Sequence, residues 1–409
     1  MTDKTTTGAL SHLKVLDLSR VLAGPWATQI LADLGAEVIK IERPGTGDDT
    51  RAWGPPYLND ADGNPTSESA YYLSCNRNKR SVAIDMATPE GQDLIRRLAA
   101  DADIVVENFK LGGLKTYGLD YDSLKAINPA LIYCSITGFG QTGPRAAQPG
   151  YDLLIQAMGG LMSVTGVPEG QPGAGPQRIG VALIDVMTGL YATIGVLAAV
   201  AHRDRTGEGQ SIDIALMDVS VAALANLAMN YLVSGKSPIR MGNAHPNVVP
   251  YQDFQTADGA IIVAVGNDGQ FARFWQLLGL EPDPRLATNA GRIRYRAETI
   301  GPIREKMVER TTAEWMTAIE DVGVPCGPIN DFAAVFADPQ VLARGLHREL
   351  PHPLGGTSPM VASPVNLSAT PPTYRNAPPL LGQDTAAVLG ERLGLDAEAL
   401  DALAAKRVI

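Results

Sequence analysis

Apolar runs and amphipathic stretches alternate through the first 140 residues. Residues 13–19 (LKVLDLS) read as a strand. Residues 24–36 (GPWATQILADLGA) read as an amphipathic helix, with Pro25 in its first turn and Gly35 near its end. Residues 37–43 (EVIKIER) are the next strand, and the apolar run 82–86 is another. Thr88-Pro89-Glu90 sets an N-cap residue before a proline at the first helical position, which opens a helix to about residue 101. Residues 103–109 (DIVVENF) and 130–140 (ALIYCSITGFG) are further strands, with a short helix between them near 121–127. Strands separated by helices predict an α/β fold with a parallel sheet and right-handed crossovers.

The pattern changes after residue 150. A Gly/Pro-rich loop, 167–178 (VPEGQPGAGPQR), runs through the apolar segment 179–184 (IGVALI) to Asp185. The long apolar stretch 186–201 (VMTGLYATIGVLAAVA) follows. It falls short of the roughly 20 residues of a membrane span, and Thr188, Gly189, Thr193 and Gly195 lie within it. It reads as a helix buried in protein. A strand at 211–214 and a helix at 218–233 come next. Residues 250–279 read as strand, tight turn (Thr256-Ala257-Asp258-Gly259), strand, glycine loop and helix. Helices are expected near 295–308 and 313–321, and the Pro-rich tail ends in helices at 384–393 and 397–406.

A chain of 409 residues suggests two domains. Its 45% apolar and 19% charged content suits a globular enzyme with a large core. The net charge of −10 argues against nucleic acid as the main partner, since phosphate binding wants a basic face, but leaves room for one small anion. Cys75, Cys134 and Cys326 are odd in number and far apart, which fits reduced thiols in the cytoplasm rather than disulfides or a zinc site. His12, His202, His245, His347 and His352 show no metal-ligand spacing, so no metal is expected. Residues 1–13 carry neither an apolar signal core nor an Arg-rich transit pattern. The expectation is a cytoplasmic enzyme with no membrane partner.

Several segments carry candidate chemistry. Gly138, Gly140 and Gly143 spell a dinucleotide fingerprint after a strand, but that motif needs a helix at its third glycine. Pro144 and Pro149 delay any helix to about residue 151, so a dinucleotide is not expected. Arg43 and Arg51 bracket a flexible loop at the end of the second strand, and residues 76–81 (NRNKRS) are a second basic cluster. Each is either a solvated face or an anion site. Loop 266–270 (GNDGQ) is either a plain βα turn or a backbone N–H source for an oxyanion.

Asp185 stands at the mouth of the long apolar helix. It is either an N-cap, accepting backbone N–H bonds, or a working carboxylate held at a fixed angle in an apolar setting. Carboxylates do serve as covalent nucleophiles.

Taken together, VLDLSRVLAGPWATQILADLGAEVIKIERPGTGDDTR, NRNKRSVAIDM, IVVENF, YCSITGFGQTGP, GYD at 150–152, GVALIDVMTGLYA, GVPCGPIN and APPLLGQDT resemble the family III CoA-transferases, almost end to end and in order. The resemblance implies a Rossmann-like large α/β domain built from residues 1–215 and 335–409. A smaller α+β domain, 216–334, is inserted in it, and two chains interlock as a homodimer. It implies that Asp185 is the nucleophile, forming an anhydride and then a thioester with CoA, which is a substrate rather than a resident cofactor. Its CoA contacts fall on Leu22, Ala23, Arg43, the stretch from Ile84 to Ala87, Asn108, Phe109 and Tyr151, with Lys110 or Lys115 replacing a basic residue that maps to Thr116. Gly266, Asn267 and Gly269 fall in its oxyanion loop. Leu22 stands where oxalate-specific members carry glutamine. The implied reaction moves CoA from a donor such as succinyl-CoA to a dicarboxylate such as glutarate, with Arg51, Arg77 or Arg178 as partner of the distal carboxylate. A 2-methylacyl-CoA racemase on the same fold is the alternative, though no histidine lies between His12 and His202; a non-catalytic CoA binder is another.

Overall fold

The computed structural model describes residues 8–409. The leader reading of the N-terminus rests in part on residues 1–7, which lie outside that range. The chain divides into two compact units. The larger comprises the chain up to Leu161, Ile179–Val233 and Leu342–Ile409. The smaller comprises Met162–Arg178 and Ser234–Val341.

The larger unit runs β1 (Lys14–Asp17), α1 (Ala23–Asp33), β2 (Glu37–Glu42), β3 (Lys79–Ala83), α2 (Pro89–Ala100), β4 (Ile104–Glu107), β5 (Ile132–Thr137), α3 (Asp152–Met158), α4 (Leu183–Thr206), β6 (Ser211–Ala215) and α5 (Leu216–Ala223). The six strands are all parallel, in the order β6-β5-β4-β1-β2-β3. That is the doubly wound order, with its switch point between β1 and β4. Successive strand residues face opposite layers. Val15, Val38, Ile104 and Ile132 meet α1 and α4 on one face. Leu16, Ile39, Val105 and Tyr133 meet α2 and the C-terminal helix Thr385–Leu393 on the other. Val388 and Leu389 of that helix are fully buried. The chain's tail is thus built into the core laid down by its first strands.

α1 crosses α4 closely because position 189 is glycine. A Cβ there would come within 2.7 Å of the Ala23 carbonyl oxygen and 3.1 Å of Trp26 Cβ. α4 is 24 residues long, more than its apolar run suggested and long enough to span a membrane by length and composition. In the structure its Ile184, Ala192, Val196 and Ala199 join the sheet core.

The smaller unit carries an antiparallel sheet of β7 (Tyr251–Gln255), β8 (Ala260–Ala264) and β9 (Cys326–Pro328). Helices Asp268–Leu277, Arg296–Met307 and Thr312–Asp321 pack on it through Phe274, Ile303, Met307 and Trp315. The hairpin turn predicted at 256–259 joins β7 to β8.

Four expectations need correction. The expected domain edge at 215/216 lies instead near residue 233, because Leu216 and Met217 pack into the larger core and the Met217 amide donates to the Gly138 carbonyl (3.0 Å). Residues 162–178 belong to the smaller unit, where Arg240 donates to the Val167 carbonyl (3.2 Å) and pairs with Glu169. The predicted helix 218–233 is two helices bent by 74° at Leu224, where Ala225 adopts a positive φ of 43°. The strand expected at 82–86 begins at Lys79, because Lys79 and Ser81 point into a buried polar network that hydropathy does not register.

Gly189→Val should force α1 and α4 apart and cost about 1–3 kcal/mol, as overpacking does. Thermal unfolding checks this; an unchanged Tm would mean that the two helices separate freely.

Candidate active site

A cleft of about 380 Å³ opens beyond the carboxyl ends of β1, β4 and β5, at the switch point of the sheet. Four helices begin at its wall: α1 behind Leu22, α3 behind Tyr151, α4 with Asp185 in its first turn, and α5 with Leu216. First-turn amides have no partner within their own helix, and the helix dipoles put their positive ends there. Such amides are suited to a ligand anion where no protein acceptor already claims them.

Asp185 is not the N-cap of α4. The helix starts at Leu183, its N-cap is Ala182, and Ala182 offers no side-chain acceptor. The acceptor comes from α3 instead. Asp152 Oδ1 accepts the amides of Ile184 (2.8 Å) and Asp185 (3.3 Å). Asp152 Oδ2 accepts from Gln156 Nε2 (2.6 Å), and Gln156 Oε1 accepts the Ile179 amide (2.9 Å). Asp152 is 8% exposed and Gln156 fully buried, so this cap is fixed from both sides. Asp185 is thereby left with a free side chain, half-buried and lining the cleft. Burial, and then the nearby charge of Asp152, push its carboxyl up to about 7. Tyr71, edge-on to Trp53 (5.2 Å), has its phenol raised to about 12 by burial and then by the charge of Asp185. Tyr71 therefore lies within electrostatic reach of the carboxylate.

The loop from β1 into α1 forms another wall, and buried charge holds it. Asp17 accepts from the Ser19 amide (2.9 Å), Thr28 Oγ1 (2.6 Å) and Lys79 Nζ (3.1 Å). Lys40 Nζ pairs with Asp48 (2.9 Å) and donates to the Ser19 carbonyl (2.8 Å). All four charged side chains have no solvent exposure. Burial alone would neutralise Asp17 and Asp48, but their lysine partners and hydrogen bonds outweigh it, and Asp48 falls to about 2. Asn108 clasps the loop's rim, its Oδ1 accepting the Arg20 amide (2.9 Å) and its Nδ2 donating to the Arg20 carbonyl (2.6 Å). Between these anchors Val21 takes φ 72°, an outlier for a β-branched residue, with its amide on Asp48 Oδ1 (3.2 Å).

The cleft therefore gathers Asp185, Leu22, Ala23, Asn108, Phe109, Lys110 and Tyr151. It does not gather Arg43, which is exposed away from it, or Ile84, which is 1% exposed in the sheet core. Lys115 and Thr116 lie outside it as well. One arginine of each basic cluster, Arg51 and Arg77, turns inward. Arg51 makes two 2.8 Å bonds to Glu42 and one of 3.3 Å to Glu68, and Arg77 pairs with Asp33 at 2.6 Å. Both are structural cations, saturated by carboxylates. Arg178 is exposed. As the proline spacing implied, no helix begins at Gly143. Three contributors escaped the sequence reading. Arg20, stacked 5.2 Å over the Phe109 ring and paired with Asp49 (2.9 Å), stood in the loop after the first strand. Asp152 and Gln156 stood one helical turn apart at the Gly-Tyr-Asp segment, a spacing that does signal a shared face.

In the smaller unit, loop 266–269 is exposed and leads into the helix Asp268–Leu277. Asn267 is the N-cap, its Oδ1 accepting the Gln270 amide (2.9 Å). The Gly266 amide is engaged by Gln270 Oε1 (2.8 Å). The amides of Asp268 and Gly269, at the first two helical positions, have no acceptor within the helix.

If Asp185 is the nucleophile that the resemblance implies, it must ionise first, and kcat/KM should rise through about pH 7. Asp152→Asn keeps an oxygen for the two amides but removes the like charge that disfavours the Asp185 carboxylate. The acidic limb should then move to lower pH. A pH–rate profile checks this; an unmoved limb would mean that the Asp152 charge does not reach Asp185.

Comparison with known proteins gives the family. The profile of CoA-transferase family III matches residues 10–385. A succinate–glutarate CoA-transferase from Agrobacterium fabrum is 52% identical, over 93% of this chain and 95% of that protein. The human succinyl-CoA:glutarate CoA-transferase is 45% identical, over 98% of this chain and 90% of its own. The crystal structure of a CaiB/BaiF family protein from Brucella suis superposes with a TM-score of 0.83 at 50% identity, covering 94% of this chain and all of that one. With this fold and a cleft built around Asp185, the chain belongs to the family III CoA-transferases.

Proposed function

We propose that the protein transfers CoA from succinyl-CoA to a dicarboxylate, glutarate foremost, with Asp185 as nucleophile. The observation that carries this reading is Asp185 itself: a free carboxylate lining the cleft, its backbone fixed by Asp152 and its carboxyl pushed up to about 7 by burial and by the charge of Asp152. The names of the two relatives supply the donor and acceptor.

The Asp185 carboxylate attacks the thioester carbonyl, forms an aspartyl–succinyl anhydride and expels CoA thiolate. The thiolate attacks the aspartyl carbonyl, giving an aspartyl–CoA thioester and free succinate. The acceptor carboxylate attacks that thioester, forming a second anhydride and releasing the thiolate again. Attack of the thiolate on the acceptor's acyl carbon yields the new CoA ester and restores Asp185. A nucleophile with a pKa near 7 suits this cycle: about half of it is ionised at neutral pH, and its anion is less deeply stabilised than that of an exposed aspartate.

The helix N-termini around the cleft, with Arg20 and Lys110 at its rim, suit the diphosphate of CoA. Arg43 and Ile84, carried over from the family pattern, are outside this cleft, so their part in CoA binding rests on the resemblance alone. Leu22, apolar where oxalate-specific members carry glutamine, suits the methylene chain of glutarate better than oxalate. The part of Gly266, Asn267 and Gly269 as oxyanion donors likewise rests on the resemblance alone. The working form is proposed as an interlocked cytoplasmic homodimer. Leu190, Ile194, Met229 and Leu232 of helices Leu183–Thr206 and Ala225–Ser234, each at least 45% exposed, are apolar surface for such an interface.

Succinyl-CoA incubated with glutarate, malate, itaconate, oxalate, formate or carnitine should give a glutaryl-CoA peak on chromatography and little transfer to oxalate. Silence across the panel would contradict the reading. Asp185→Asn should lower turnover by roughly a thousandfold or more with an unchanged circular dichroism spectrum; near-normal turnover would exclude Asp185 as the nucleophile. Arg178 is the remaining arginine candidate for the distal carboxylate. Arg178→Ala should raise KM for glutarate about tenfold or more while leaving KM for a monocarboxylate unchanged. Equal effects on both acids would remove it from that role.

A further inference from the structure

The threonines of α4 behave differently from one another. Thr193 Oγ1 donates to the Gly189 carbonyl (2.9 Å) and Thr206 Oγ1 to the His202 carbonyl (3.0 Å), the usual return of a helical hydroxyl to the preceding turn. Thr188 makes no such bond. It has no solvent exposure, and its Oγ1 finds no hydrogen-bond partner among the described residues. It sits on the stripe that α4 turns into the sheet core, one turn after Ile184 and one turn before Ala192. Valine has the same shape and would fill that place with no orphaned hydroxyl. A buried hydroxyl without a partner costs stability. Its presence there implies a partner that arrives only at some stage of the protein's work.

Asp185 stands three residues earlier on the same helix. Residues so spaced share a face, with Cβ atoms about 5–6 Å apart. Helical side chains lean toward the N-terminus, over the preceding turn, so Thr188 leans toward Asp185. The two do not bond in the resting structure. Oγ1 is unpartnered, and the Asp185 carboxyl is raised by burial and by Asp152 with nothing from Thr188 to lower it.

Two steps of the transfer cycle take place at the aspartyl carbon rather than at the substrate's. CoA thiolate adds to Cγ of the anhydride and forms the C–S bond. The carbonyl electron pair moves onto oxygen, and collapse breaks the C–O bond to succinate. The acceptor carboxylate later adds to Cγ of the thioester, again placing the pair on that oxygen, and collapse breaks the C–S bond. Each step passes through an oxyanion on the side chain of Asp185 itself. We propose that the Thr188 hydroxyl donates a hydrogen bond to this aspartyl oxyanion, keeping its proton throughout. This rests on the reading of Asp185 as covalent nucleophile. A fixed donor shielded from water stabilises the developing charge without reorganising. Because it leaves the resting carboxylate alone, it favours the transition state over the ground state.

Thr188→Val in the full-length protein is the test. After brief mixing with succinyl-CoA, discharge of the Asp185–CoA adduct by glutarate should slow roughly tenfold to hundredfold, read by intact-protein mass spectrometry. kcat should fall with it. KM for succinyl-CoA and the acidic limb of the pH–rate profile should stay in place, and Tm should hold or rise, because an unpaired hydroxyl has left the core. Thr188→Ser keeps the hydroxyl and should discharge within about threefold of the wild-type rate, whereas Thr188→Ala should be as slow as Thr188→Val. Wild-type discharge in Thr188→Val would overturn the proposal. So would equal slowing in Thr188→Ser and Thr188→Ala, which would trace the effect to the lost methyl group. A wild-type adduct on a residue other than Asp185 would instead overturn the nucleophile reading, and this proposal with it, whatever the Thr188 variants do.

Discussion

The acceptance of two amides at the head of α4 by Asp152 is the interaction on which the site depends. A long apolar helix beginning at Leu183 has no local side chain to satisfy its first turn, since Ala182 occupies the N-cap. Had Asp185 served as the cap, its oxygens would be committed to backbone N–H groups and its pKa would be low. Moving the capping task to α3 leaves those oxygens free. It also sets a second carboxylate beside the first, which with burial keeps Asp185 near the midpoint of its titration at neutral pH. One residue thus gives Asp185 both its place and its poise.

Buried charge plays the complementary part at the opposite wall. Strand interiors of a parallel sheet are normally apolar, yet β1, β2 and β3 contribute Asp17, Lys40 and Lys79 with no solvent exposure. Such groups add little net stability, because desolvation offsets most of their attraction. Their effect is geometric. They hold the turn after β1 tightly enough to keep Val21 at a positive φ, and so fix where Leu22 and Ala23 meet the cleft. In the larger unit the apolar layers give the fold and the buried ions give the loop after β1 its position.

The sheet was largely legible in the sequence because period-2 apolar runs and N-cap signals such as Thr88-Pro89 are local. Asp185 was legible as a candidate because a carboxylate at the head of an apolar helix is conspicuous. Its role relative to the cap was not legible, since that depends on Asp152, over thirty positions away in the chain. Arg51 and Arg77 looked like ligand contacts because sequence shows charge but not partners; Glu42 and Asp33 claim them. Hydropathy could not foresee a strand starting at Lys79, nor the bend at Ala225, where alanine takes a backbone conformation it rarely adopts. Family resemblance carried Ile84 into the list of contacts, but its side chain is wholly committed to the core.

The central claim is that CoA passes through a covalent bond to Asp185. Intact-protein mass spectrometry after brief mixing with succinyl-CoA, with no acceptor present, tests it most directly. The account predicts an added mass equal to CoA less water, located by peptide mapping to the peptide bearing Asp185 and discharged when glutarate is added. An unmodified protein under conditions that support full turnover, or an adduct on any other residue, would contradict it.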